Sequence, residues 1–209
     1  MDVSSMEEIT IWSETKKGGK VPEQFSPNTT SINLSDRRIG STDLSPLEQF
    51  PNLETFIISG NELQSLDLSH LKACKNLLEL SLGSNEMETI DLAPLANCAN
   101  LLHLDLSFNK LREINLTPLA QCKNLKALHL YDNKLESIDL SVLSKCKKLR
   151  NLSLNNNEIK KLDISALFRC PNLMQFGLDE GVKLSADKKL KDTNPPRALK
   201  PLIGNIEWY

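Results

Sequence analysis

The chain has 209 residues, with 25 Lys and Arg against 27 Asp and Glu and a net charge of −2, so it lacks the basic excess of a nucleic-acid-binding surface. Hydrophobic residues make up 40% and aromatic ones only 5%, which predicts an aliphatic, mostly leucine core. No apolar run reaches the length of about 18 residues needed for a membrane-spanning helix.

The N-terminal MDVSSMEEIT carries neither a basic region nor an apolar run, and no signal peptide is read there. Glu8 to Trp12 (EITIW) alternates as a strand does, and Lys16-Lys17-Gly18-Gly19-Lys20 reads as a turn. Residues 1–27 are expected to form an N-terminal cap over the repetitive segment.

From Asn52 one frame recurs at Asn76, Asn100, Asn124, Lys148 and Asn172, a period of 24 with no insertion or deletion. A weaker copy precedes it. The units are 28–51, 52–75, 76–99, 100–123, 124–147, 148–171 and a partial 172–184. Down the columns, Leu77, Leu80 and Leu82 have counterparts such as Leu101, Leu104 and Leu106, and their alternation suits a short strand with one buried face. An asparagine column comes next, Asn61, Asn85, Asn109, Asn133 and Asn157, placed to satisfy backbone groups where the chain turns out of the strand. Ser45-Pro46-Leu47, Ala93-Pro94-Leu95 and Thr117-Pro118-Leu119 read as helix starts, with Ser or Thr as N-cap and Pro in the first turn. Just before lie Asp43, Asp67, Asp91, Asn115, Asp139 and Asp163, short side chains able to bond local backbone. Cys74, Cys98, Cys122, Cys146 and Cys170 form one column, with Phe50 in that place in the first unit. One thiol per unit along a line suits small buried fillers on the convex side, not a converging metal site. Their odd number points to reduced thiols and a cytoplasmic protein.

The last unit departs from the pattern, with Gly181 in place of the asparagine. Residues 185–209 hold Leu190, Leu199, Leu202, Ile203, Ile206 and Trp208, which suit a C-terminal cap or, alternatively, a docking peptide.

The spacing L-x-x-L-x-L-x-x-N-x-L over about Ser31 to Leu184 resembles the leucine-rich repeat family in a 24-residue form. The resemblance implies an α/β repeat solenoid: a right-handed horseshoe of about seven rungs, with a parallel sheet on its concave side and short helical segments on its convex side. The physics agrees, because one unit cannot bury its own leucines and stacking closes the core. At about 4.8 Å per rung, seven rungs span about 30 Å.

In that architecture the variable residues between the strand leucines form the concave face. The middle rungs present Glu79, Ser81, His103, Asp105, Ser107 and Phe108, then His129, Tyr131, Asp132 and Ser153. Aromatic residues beside charges mark His103, Asp105, Phe108, His129, Tyr131 and Asp132 as the candidate partner-binding patch. Asp105, His129 and Ser153 also share one outward column in acid, base, hydroxyl order. Against catalysis, no glycine-bearing turn positions the serine and no oxyanion donors are evident. The concave side is acidic toward its C-terminal end, whereas the convex and flanking side carries Lys72, Lys75, Lys123, Lys145, Lys147 and Lys148. His70, His103 and His129 do not make a metal set, and no cofactor motif is present. The expected function is a non-catalytic protein-protein interaction module: a monomer that binds another protein, not nucleic acid or membrane, through its concave face. The alternative is a regulatory or adaptor subunit of a signalling complex, for example with a GTPase, and a hydrolase is a remote third.

Overall fold

A computed structural model describes residues 7–209; the reading of Met1 to Met6 as free of a targeting signal lies outside them. Each unit contributes a three-residue strand whose central side chain packs inward. These strands are β3 (Ser31–Asn33), β5 (Thr55–Ile57), β6 (Glu79–Ser81), β7 (His103–Asp105), β8 (Ala127–His129), β9 (Asn151–Ser153) and β11 (Gln175–Gly177). They form one parallel seven-stranded sheet in the order β11-β9-β8-β7-β6-β5-β3, so spatial order follows sequence order, with β4 (Ile39–Thr42) and β10 (Lys161–Asp163) set aside in other sheets. Leu80, Leu104, Leu128 and Leu152 pair in register and point inward, while the residues on either side point out. One continuous core runs from Ile11 to Ile206, with leucines of successive units in mutual contact. Burying a leucine side chain contributes about 1.5–3 kcal/mol, and stacking the units side by side into one cluster is what completes that burial.

The asparagines close the turn after each strand. Asn109 Nδ2 donates to the carbonyls of Leu106 at 3.2 Å in its own rung and of Leu82 at 3.1 Å in the rung before, while its Oδ1 accepts from Met87 N–H at 3.1 Å. Asn61, Asn85, Asn133 and Asn157 repeat the set. The geometry agrees with a structural role for this column. Among the described residues, every buried side-chain polar atom has a partner.

The convex side consists of six single 3₁₀ turns: Ser45–Gln49, Ser69–Ala73, Ala93–Asn97, Thr117–Gln121, Ser141–Lys145 and Ser165–Arg169. Their capping differs from the sequence expectation. Ser45, Ala93 and Thr117 are the first helical residues, not N-caps, and the preceding leucines offer no side-chain acceptor. The Asx column supplies the acceptor instead: Oδ1 of Asp43, Asp67, Asp91, Asp139 and Asp163 each takes the N–H two residues on at 2.8 Å, and Asn115 at 3.0 Å. These bonds, with the hydroxyls of Ser45 and Ser69, hold the carboxyls of Asp43 and Asp67 below the usual carboxylate range.

Directly behind each turn from the second onward lies a cysteine. All five are free and fully buried. Each Sγ lies against a carbonyl of the previous unit, as Cys98 on Leu71 O at 3.5 Å and Cys170 on Leu143 O at 3.2 Å. Burial pushes the thiols up to about 11 in Cys74 and Cys146 and about 12 in Cys98, Cys122 and Cys170.

At the N-terminal end, β1 (Ile9–Thr15) and β2 (Lys20–Phe25) form an antiparallel hairpin, and β1 also pairs with β4 (Ile39–Thr42). The hairpin turn needs Gly18, whose φ is +79°. Ile11 enters the core, and Phe25 meets Phe50 edge-on at 6.3 Å. Lys16 reaches Glu86 at 2.6 Å, where Lys110 joins at 3.0 Å; hydrogen bonds from these two cations pull the Glu86 carboxyl down to about 2. At the other end, β10 (Lys161–Asp163), β12 (Lys183–Ala186) and β13 (Ile206–Trp208) form a separate parallel sheet. Leu199 and Ile206 are buried there, and Trp208 meets Phe168 at 5.8 Å. The missing asparagine of the last unit is offset by Asp179, whose two oxygens take the N–H groups of Asn156 and Asn157 at 2.7 and 3.0 Å.

Two measurements check this packing. The five thiols should react with a disulfide reagent about a hundredfold or more slower in native protein than in denaturant, where all five titrate. Asp179→Ala should lower stability in urea by about 1–3 kcal/mol by stranding two amides, and Asp179→Asn by less.

Candidate partner-binding site

The outward surface has four columns, two from the strands and two from the turns after them. Parallel pairing sets Asp105 beside His129 and His129 beside Ser153. Backbone bonds from Phe108 N–H to Tyr131 O at 3.0 Å and from Asp132 N–H to Asn155 O at 3.0 Å carry the register into the turns.

The turns impose a backbone condition. The residue before the asparagine position lies in the left-handed region: Asp36, Gly60, Ser84, Phe108, Asp132 and Asn156 have φ between +52° and +68°. Gly, Asx and Ser tolerate this conformation, whereas a bulky side chain there is an outlier costing about 1–3 kcal/mol. Phe108, at φ +52°, is that outlier, and it is 48% exposed. Its ring stands edge-on to Tyr131 at 5.0 Å and 76°, and Tyr131 stands edge-on to His129 at 6.3 Å and 82°. Phe108, Tyr131 and His129 therefore form one connected aromatic surface across adjacent rungs.

The other three residues of the patch differ in placement. Asp132 adjoins Tyr131 in the chain, and its Oδ1 accepts from Asn156 Nδ2 at 3.1 Å. Asp105 turns into its own rung, its Oδ1 accepting from Ser107 N–H at 2.9 Å and Ser107 Oγ at 2.6 Å. His103 is exposed in the first column, in register with Ala127 and outside the aromatic chain. Of the Asp105, His129 and Ser153 column, only the base and hydroxyl meet, His129 Nδ1 to Ser153 Oγ at 3.2 Å. Among the described residues the side-chain bonds of Asp105 go to Ser107 and none goes to His129, so the acid is not joined to the base and hydroxyl. Among the described residues no three His, Cys, Asp or Glu side chains converge on a metal site.

Sequence reasoning missed three features of this face. Ser107, in an outward column, is only 2% exposed because it folds onto Asp105. Ala127, also in an outward column, is 4% exposed, a small floor among larger neighbours. The left-handed backbone at Phe108 has its signal in the Asp, Gly, Ser and Asn that share its column.

Comparison with known proteins gives three findings. Family models described as leucine rich repeat match residues 51–111 and, as two repeat copies, residues 123–168. No curated protein matches the chain. Among solved structures, an internalin (inlF) of Listeria monocytogenes is 23% identical with a TM-score of 0.57, covering 86% of this chain; the chain spans 60% of that internalin's length. A second Listeria monocytogenes internalin, C2 (inlC2), is 26% identical over 71% of this chain and 70% of its own, with a TM-score of 0.49. The likeness to the first shows the repeat fold.

Replacing Phe108 by Asn relieves about 1–2 kcal/mol of backbone strain while losing an edge-on contact of about 0.5–1.5 kcal/mol. Phe108→Asn should therefore leave stability in chemical denaturation within about 1 kcal/mol of the parent, whereas Phe56→Ala in the core should cost about 3–5 kcal/mol.

Proposed function

The chain belongs to the leucine-rich repeat family, and from that premise we propose that it is a non-catalytic interaction module that holds another protein on its concave face at His103, Asp105, Phe108, His129, Tyr131 and Asp132. The carrying observation is Phe108. An aromatic ring is kept half-exposed on a backbone conformation that the other rungs reserve for Gly, Ser and Asx residues, and it rests on Tyr131. Local stability does not favour that choice, and a contact surface does. The stiff sheet beneath supports it, because its strand amides and carbonyls are engaged between rungs and the aromatic surface is preorganised. The reading includes a monomer in a reducing, cytoplasmic setting, supported by five unpaired buried thiols. A regulatory or adaptor subunit of a signalling complex, such as one built around a GTPase, is a narrower form of the same reading and uses the same patch.

Phe108→Ala with Tyr131→Ala should weaken capture of the partner at least about tenfold, a usual effect for central aromatic contacts, while leaving the melting transition cooperative. The measurement is quantitative mass spectrometry of proteins retained by the parent and by the double variant. Equal retention by a folded variant would move the binding site off this face.

A further inference from the structure

The four outward columns are chemically one-sided. Across seven rungs they hold six carboxylates, Asp36, Glu79, Asp105, Asp132, Asp179 and Glu180, and no Lys or Arg, although the whole chain is nearly balanced at 25 basic and 27 acidic residues. The basic residues stand on the flanks and the convex side. Two that flank the concave turns are already held, Lys110 by Glu86 and Arg37 by Glu23. Some of the carboxylates are internal: Asp179 spends both oxygens on backbone amides, and Asp105 and Asp132 each engage Oδ1. Glu79, Glu180 and the second oxygens of Asp105 and Asp132 have no hydrogen bond or ion pair among the described residues; Glu180 is exposed, and Glu79, Asp105 and Asp132 are partly exposed. In their midst lies the Phe108-Tyr131-His129 surface.

We infer, resting on the concave-face reading above, that the occupant of this face is a cationic polypeptide segment that lays arginine or lysine side chains against Glu79, Asp105 and Asp132 and a guanidinium or aliphatic group on Phe108 and Tyr131. Arginine suits both halves of the surface, since it forks onto carboxylates and stacks on aromatic faces. The layout suits an extended segment crossing the strands obliquely: Glu79, Asp105 and Asp132 stand on successive rungs about 4.8 Å apart but in the first, second and fourth columns, so they run diagonally over the face at separations that long basic side chains span. The same negative field repels the phosphates of nucleic acid and anionic lipid from this side. A second copy of the chain, offering its convex lysines, is the competing occupant.

The test uses a fluorescein-labelled peptide of arginine and leucine in a glycine-serine background, with a control in which glutamate replaces arginine. Binding is read by fluorescence anisotropy at low and high salt. The parent should bind the arginine peptide at least about tenfold more tightly than the glutamate peptide, with the margin shrinking as salt screens it. A Glu79→Gln, Asp105→Asn, Asp132→Asn triple variant keeps the Oδ1 acceptors of both aspartates and should lose about tenfold in affinity. Equal affinity for both peptides, or undiminished affinity in the triple variant, overturns the cationic occupant. If the Phe108 and Tyr131 variants still lose their partner in that case, the concave docking reading survives and only its charge assignment falls. Sedimentation velocity of the chain alone supplies the remaining arm: a monomer at low salt agrees with the proposal, and a dimer abolished by the triple variant replaces it with self-association.

Discussion

One carboxamide in each of five successive rungs decides how the concave surface is built. A strand of only three residues has to end abruptly, and an abrupt turn strands donors and acceptors that burial makes expensive. The asparagine ladder answers this by sharing each side chain between two rungs: its own carbonyls, the carbonyl behind, and the amide behind. Asparagine is suited to the task because one short group offers two donors and an acceptor. Hydrophobic burial drives the stack together, but the amide fixes where each rung leaves the sheet, and so where every outward side chain sits.

The same turn sets what the surface can display. It holds the residue before the asparagine at positive φ, which filters that column toward Gly, Asx and Ser. Variety on the concave face is thus cheap at the strand positions and costly at the turn. Phe108 violates the filter, and the violation is coupled to its neighbour Tyr131, which supplies an edge-on partner one rung away. Local rules and global architecture agree along most of this chain, and a conspicuous conflict between them falls on the exposed face where recognition is expected.

Much of this architecture is legible in the residues alone because a fixed period turns one chain into its own alignment. The leucine, asparagine and cysteine columns each declare a requirement several times over, and strand register comes from the spacing without any tertiary information. The helix start is ambiguous in sequence because two acceptor types stand two residues apart: Asp43 and Ser45 both look like caps, and only coordinates show that the 3₁₀ turn begins at the serine. Ser107 and Ala127 sit on the outward columns as their positions require, but their exposure depends on side-chain direction and on neighbours from other rungs. Asp179 is invisible as a ladder terminus, since its column elsewhere holds Ser, Gly, Tyr and Asn with no shared chemistry. Residue type alone selects the candidate patch; that Phe108, Tyr131 and His129 touch while His103 stands apart needs the geometry.

The bridging bonds of every asparagine run to positions 27 and 22 residues earlier, and these offsets do not change along the stack. A whole unit spliced between two others finds on both sides the partners its ancestors had, and removing one rejoins its neighbours through identical contacts. In-frame duplication or loss of a gene segment can therefore lengthen or shorten the recognition surface in single steps, without repairing the interior. The breadth of ligand such a lineage can span is, in this sense, a number that is inherited by counting.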